Sequence, residues 1–258
     1  FAPELPGAFE AAETLRAAFM ASHTQAPVRH AHELGQGGSL LLMPAWSPAA
    51  LGVKLVTVMP EAAARGAGTV QASYLLMSRH TGQPQALIDG EALTLRRTAA
   101  TSALAAQRLM RPDARRLLLV GAGRLAPWMA RAHLALNPGL QSVQVWARRG
   151  EAAQACAVQL KNEGIDAYAV TDLQPAVAQA DLVCCATTST TPLVQGAWLA
   201  PGTHLDLVGG FRRTMREVDD APVQSAHVVV DTYARALAET GDLVQPLDAG
   251  LIGREHVR

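Results

Sequence analysis

Aromatic residues are scarce, at 4% of the chain. Few rings are available for bases to stack on, which counts against nucleic acid as a partner. Neither sign of charge is in excess. Lys+Arg number 22 and Asp+Glu 22, so the formal net charge is zero. A balanced chain exerts no electrostatic pull on a phosphate backbone or an anionic membrane. No apolar run approaches the roughly 18 residues needed to span a bilayer. Phe1-Ala2-Pro3-Glu4 lacks a basic stretch followed by an apolar one. No signal peptide is expected, and the cytoplasm is the expected compartment. Cysteine occurs three times, as Cys156, Cys184 and Cys185, with no C-x-x-C spacing. Reduced thiols packed as small hydrophobes are the expectation. Eight histidines occur without H-E-x-x-H spacing. His30 and His32 are expected to alternate on a strand and share a face, and no metal site is expected. A G-x-S-x-G elbow is also missing, so a serine hydrolase has no support.

What is present is an ordered globular chain. It has 258 residues, 49% hydrophobic and 17% charged. That length suits one large or two modest domains with real cores. Residues 1–112 show a helix and then short strands. Glu10–Ala21 carries Ala11, Leu15, Ala18 and Phe19 at helical spacing. Ser39–Met43, Val53–Val58, Thr69–Met77 and Gln85–Asp89 read as strands, the last two joined as a hairpin through Thr81-Gly82-Gln83-Pro84. Consecutive strands with short links favour an antiparallel or mixed sheet. An Ala-rich helix is expected over Thr98–Met110, closed by Arg111-Pro112-Asp113.

From Arg115 the texture changes to strand–helix alternation. Leu117–Val120 is a continuous apolar run, as in a strand buried on both faces. Strands are expected at Val143–Trp146, Ala167–Val170, Leu182–Ala186, Leu205–Val208 and Val228–Val230. Helices are expected over Arg124–Leu136, Glu151–Glu163 and Asp231 to about Gly241. The alternation predicts an α/β fold with a doubly wound parallel sheet over 113–235. Residues 236–258 form a C-terminal segment.

The sharpest local signal is Leu117-Leu118-Leu119-Val120-Gly121-Ala122-Gly123-Arg124-Leu125-Ala126. It fits G-x-G-x-x-A, a variant of the Rossmann dinucleotide fingerprint. Gly121 allows the tight strand-to-helix turn. Gly123 lets a pyrophosphate approach the backbone, and Ala126 lets the helix sit close to the strand. The phosphates then meet the N–H groups and positive end of that helix.

The end of the second strand of such a domain chooses the cofactor. An acid there bonds the ribose 2′-hydroxyl of NAD, and an arginine nearby accommodates the 2′-phosphate of NADP. Here Ala147-Arg148-Arg149 follows Trp146, so NADP(H) is expected over NAD(H). Thr187, Thr188 and Ser189 after the fourth strand, and Gly209 after the fifth, fall on loops that line the ligand crevice.

Substrate chemistry must come from the first half. Lys54 sits in Leu51-Gly52-Val53-Lys54-Leu55-Val56, a run otherwise fit for burial. A lysine there either holds a carboxylate and passes a proton or points to water from an edge strand. Arg29, and Arg96-Arg97 ahead of the Ala-rich helix, can grip a carboxylate by paired bonds or simply lie on the surface.

Several blocks together resemble the ornithine cyclodeaminase/mu-crystallin family. They are Val53-Lys54-Leu55-Val56, Thr81-Gly82 with Ala86-Leu87-Ile88-Asp89-Gly90, Leu93-Thr94-Leu95-Arg96-Arg97-Thr98-Ala99-Ala100-Thr101-Ser102-Ala103 and the Gly121-Ala122-Gly123 turn. The likeness continues through Ala180-Asp181-Leu182-Val183, Ala200-Pro201-Gly202-Thr203, Glu217-Val218-Asp219-Asp220 and Val230-Asp231-Thr232. The resemblance implies a homodimer with a mixed-sheet substrate and dimerisation domain plus a Rossmann domain. It implies that Arg29, Lys54 and Arg97 hold the substrate carboxylate, with Lys54 also handling a proton. The family usually continues past the position of Arg258, with a segment returning to the first domain. Leu125 stands where the family usually has Gln.

Phe211 stands where cyclodeaminases carry an Asp that activates water or the substrate amine. A phenyl ring cannot take a proton. Ketimine reductases resembling mu-crystallin also lack that Asp and tend to carry an arginine in the place of Arg148. The expectation is therefore NAD(P)H-dependent reduction of a small imino acid. The alternatives are ornithine cyclodeaminase, which releases ammonia from ornithine, and a non-catalytic NADPH-binding protein.

Overall fold

The computed structural model describes residues 7–21 and 23–258. The stretch Phe1–Glu4, read above for a leader, lies outside the described residues. The chain divides into two compact units, one ending at Thr101 and the other spanning Ser102–Arg258.

The first unit opens with α1 (Ala8–Met20), of which only Ala11 and Ala12 are buried. A five-stranded meander follows: β1 (His30–Gly35), β2 (Gly38–Trp46), β3 (Leu51–Val58), β4 (Val70–Met77) and β5 (Pro84–Asp89). Strand order equals chain order, and every pairing is antiparallel. Short links allow only hairpin returns, which is why the sheet is antiparallel throughout. The β4–β5 hairpin pairs Leu75 with Leu87, as its turn signal predicts. His30 and His32 lie on β1, and that edge strand is exposed along its whole length.

Helix α2 (Gly90–Leu109) corrects the sequence reading, which starts it at Thr98. Arg96 and Arg97 are therefore inside the helix rather than ahead of it. The cause is a cap at the end of β5. Asp89 Oδ1 accepts the N–H groups of Glu91 at 2.8 Å and Ala92 at 3.0 Å. Gly90 then lets the helix press on β4, where a β-carbon would lie 2.7 Å from the Ala72 carbonyl carbon.

The second unit holds β6 (Arg116–Val120), β7 (Ser142–Trp146), β8 (Ala167–Ala169), β9 (Leu182–Cys185) and β10 (His204–Leu207). All are parallel, in the order β10-β9-β6-β7-β8. The order of winding reverses between β6 and β9, the switch point at whose carboxyl ends parallel sheets of this kind form their ligand crevice. Helices α3 (Ala126–Leu136), α4 (Gly150–Asn162) and α5 (Leu173–Gln179) make the crossovers. Leu117, Leu118, Leu119 and Val120 are all at most 1% exposed, so β6 is buried on both faces. One face packs Leu118, Val120, Val183 and Cys185 against Val177 of α5. Asp181 fixes the start of β9 beside β6 by accepting the N–H groups of Arg115 at 2.8 Å and Arg116 at 3.0 Å.

The predicted strand Val228–Val230 is not part of the sheet. Val228 bridges to Val257, and the Val230 N–H donates to the Arg258 carbonyl at 2.9 Å. The last two residues have taken the backbone groups that a sheet would need. The chain closes with α6 (Asp220–Ser225), α7 (Tyr233–Glu239) and α8 (Gly241–Asp248).

Candidate active site

Gly121 makes the turn out of β6 with φ +109°. A β-carbon there would lie 2.8 Å from the Ala186 carbonyl oxygen, so no other residue fits without displacing backbone. Its N–H donates to the Trp146 carbonyl at 2.8 Å, which ties the turn to the end of β7. Gly123 differs in kind. A β-carbon on it would meet nothing within 4 Å, so open space lies over the backbone here. Leu125 has helical angles and gives α3 no side-chain cap, and Ala126 behind it is 1% exposed. A hollow at Gly123 beside an uncapped helix start fits a pyrophosphate. Ala122 is half-buried in this turn, and Arg124 is exposed.

At the end of β7, Ala147 is half-buried and Arg148 and Arg149 are exposed. Arg149 caps α4 in extended conformation, with its carbonyl accepting the Ala152 N–H at 3.0 Å. Both guanidiniums stem from the position where a dinucleotide's ribose is selected.

The loops after β9 and β10 meet through a residue the sequence reading left without a role, Glu217. Thr187 donates its N–H at 2.7 Å and its hydroxyl at 2.8 Å to Glu217 Oε1. Gly209 donates its N–H at 2.7 Å to Glu217 Oε2. Both backbone groups of Gly209 are used within the chain, since its carbonyl accepts the Phe211 N–H at 2.9 Å. Thr188 is exposed, and Ser189 Oγ donates to the Thr191 carbonyl at 2.6 Å. Phe211 is 55% exposed.

In the first unit, Lys54 sits half-buried at the centre of the meander, on β3. Its Nζ donates to Thr94 Oγ1 at 2.8 Å, and that hydroxyl donates to the Gly90 carbonyl at 2.6 Å. The register puts Lys54 opposite Met43 on one side and Tyr74 on the other. Arg29 is half-buried and directly precedes His30, which faces Leu42. It lies one residue ahead of the β1–β2 pairing, on the approach to the edge strand. Arg97 is exposed, one turn beyond Thr94 on α2. Lys54 and Thr94 are thus joined, with Arg29 just ahead of β1 and Arg97 three residues past Thr94 on α2.

Tyr74 and Thr94 escaped the sequence reading. The Tyr74 hydroxyl lies where a Gly52 β-carbon would be, so the ring covers the glycine two residues before Lys54. Burial pushes the Tyr74 phenol up. Only the cross-strand register could have paired Tyr74 with Lys54. Thr94 had a signal, since Asp89-Gly90-Glu91 marks an earlier helix start.

Folding also brings His133, Cys184 and Asp206 within 4.8 Å, a grouping no sequence spacing announces. Burial pushes the Cys184 thiol well up, and Asp206 is bonded to His133 at 3.1 Å and Ser102 at 3.0 Å. The trio is a hydrogen-bonded cluster in the core.

Residues 6–256 match the ornithine cyclodeaminase/mu-crystallin family. The chain belongs to that family. A Delta(1)-pyrroline-2-carboxylate reductase of Paracoccus denitrificans is 41% identical over 251 residues, covering 96% of this chain and 78% of that protein. Among solved structures, Thermococcus litoralis Delta(1)-pyrroline-2-carboxylate reductase in complex with NADH and L-proline superposes with a TM-score of 0.91 and 31% identity. The match covers 98% of this chain and 80% of that one. An archaeal alanine dehydrogenase dimer with bound NAD gives 0.90 at 28% identity, over 98% and 78% of the two chains. The family's α/β architecture, with one parallel and one separate antiparallel sheet, is the one found here. Among the described residues, no helix is long and apolar enough to cross a membrane.

Proposed function

We propose that this protein reduces a small cyclic imino acid of the pyrroline-2-carboxylate type to the amino acid, using a reduced nicotinamide dinucleotide. One observation carries the reading: Lys54, a half-buried cation on the central strand of the first sheet, is oriented by the Thr94 hydroxyl. Arg29 and Arg97 bind the substrate carboxylate through paired N–H donors. Lys54 orients the same group and hands a proton to the developing amine. When bound, the nicotinamide supplies the hydride. Gly121, Ala122, Gly123, Arg124 and Leu125 hold the pyrophosphate, and Thr187, Thr188 and Ser189 border the nicotinamide half. The names of the Paracoccus and Thermococcus proteins support this choice of substrate. Phe211 in place of a carboxylate counts against cyclodeamination.

Arg148 and Arg149 favour NADPH over NADH, because forked donors suit a 2′-phosphate. The protein works as a homodimer in the cytoplasm. Exposed Phe9, Phe19, Val28, Leu34 and Leu87 in the first unit support a buried partner face. Free, buried cysteines support a reducing compartment.

The test is a panel of cyclic and linear imino acids offered with NADPH and with NADH, followed by the absorbance of the reduced nicotinamide. Oxidation with a pyrroline-2-carboxylate-type imine is expected, fastest with NADPH. Ammonia release from ornithine without net cofactor turnover would overturn the reading.

A further inference from the structure

The crevice of the second unit is bordered by the loop after β9 and the loop after β10, and one side chain joins them. Glu217 is fully buried. Its two carboxylate oxygens accept from Thr187 on one loop and Gly209 on the other. Behind it, Asp242 Oδ1 accepts the N–H groups of Glu217 at 2.8 Å and Val218 at 3.1 Å. Glycine at 209 and 210 is dictated by these carboxylates. A β-carbon on Gly209 would strike the Thr187 carbonyl and Glu217 Oε1, and one on Gly210 would strike Asp242 Oδ2. A buried carboxylate is costly to keep. The neighbouring cation, Arg216, gives its guanidinium to the Val218 carbonyl and Asp220.

We propose that Glu217 is a positioning residue: by tying Thr187 to Gly209 it sets the spacing of the two crevice loops, and loss of its charge loosens the tie and weakens cofactor binding. The proposal rests on the dinucleotide reading of the crevice. It extends that reading by giving cofactor affinity a pH dependence set by a residue off the reaction path.

Burial pushes Glu217 up to about 7, against the lowering effect of the Thr187 and Gly209 bonds, and Asp242 adds to the rise. The groups facing it are few in kind. Asp242 on α8 is itself raised by burial, opposed by the Glu217 and Val218 N–H groups and by Arg216. Cys184 and Cys185 on β9 are held neutral by burial. Asp206 on β10 stays below the usual carboxylate range despite burial, through His133, His204 and Ser102. When Glu217 gains a proton, its hydroxyl confronts a donor already aimed at it, so one loop loses a strong acceptor.

The experiment measures the NADH dissociation constant by calorimetry from pH 6 to 8.5 in the intact protein and in Glu217→Gln and Glu217→Asp, with thermal melting as a control for folding. Unaltered protein should bind NADH about tenfold more weakly at pH 6 than at pH 8, the effect of one charge-assisted hydrogen bond. Glu217→Gln should be about tenfold weaker at pH 8 and flat with pH. Glu217→Asp should recover part of the slope. Glu217→Gln binding as tightly as the intact protein, or keeping its pH slope, overturns the proposal. A carbon-13 titration of the Glu217 carboxyl in the unaltered chain guards against a variant that does not fold. Its midpoint should coincide with that of the affinity curve, and a separate midpoint overturns the proposal as well. Should the folded, unaltered protein bind no nicotinamide nucleotide at any pH, the dinucleotide reading fails instead.

Discussion

His133 Nε2 and Asp206 Oδ2 lie 3.1 Å apart in the interior of the second unit. Ser102 Oγ donates to the other carboxylate oxygen at 3.0 Å. The pair thus joins α3, β10 and the C-terminal half of α2. Burial pushes the Asp206 carboxyl up, but His133, His204 and Ser102 outweigh it and hold it below the usual range. Its folded value is depressed, so its contribution is present above the unfolded value and is lost as pH falls through the folded one. Asp206→Ala should cost about 3 kcal/mol at neutral pH, read by denaturant unfolding. A loss under about 0.5 kcal/mol would make the pair incidental.

Glu217 carries the opposite sign. Burial raises it to about 7 from 4.5, so its stabilising contribution is complete below 4.5 and is lost as pH rises through 7. Unfolding free energy should fall by up to about 3 kcal/mol over that window, relative to Glu217→Gln. Parallel curves for the two proteins would show that the carboxyl titrates near its ordinary value.

Lys54→Ala should lower turnover of a cyclic imine by about 100-fold or more while leaving NADH affinity unchanged. Thr94→Val removes the hydroxyl that orients Nζ and should cost about tenfold in kcat/KM. Full activity of Lys54→Ala would exclude the lysine from the chemistry.

Arg148→Ala combined with Arg149→Ala should weaken NADPH by roughly tenfold to a hundredfold, as expected for lost charge-assisted bonds. NADH should change little. Equal losses for the two nucleotides would reject a 2′-phosphate clamp.

Gly121→Ala should cost about 1–3 kcal/mol of stability, because an L side chain is strained at φ +109°. Nucleotide binding should be lost with it, since the new methyl group pushes on the Ala186 carbonyl. Gly123→Ala meets open space and should leave stability intact while weakening the nucleotide. An unchanged nucleotide affinity in Gly123→Ala would sink the pyrophosphate assignment.

The parallel unit and its turn are written in local sequence. An unbroken Leu117–Val120 run followed by Gly121-Ala122-Gly123 can hardly be anything but a buried strand entering a helix, because period and glycine geometry are local properties. Lys54 stands out as a charge inside an apolar run, but a buried place and an edge strand facing water are equally open until the sheet order puts β3 at the centre. Tertiary structure alone decided the rest. Val228–Val230 has strand composition, yet its backbone partners are Val257 and Arg258, and pairing choice lies beyond any local pattern. The row through Lys54 and Tyr74 depends on register between β3 and β4. Glu217 reads as an ordinary acid in the chain. It becomes the tie between two crevice loops only when folding withdraws it from water and aims Thr187 and Gly209 at its oxygens, since burial and donor geometry are properties of three dimensions.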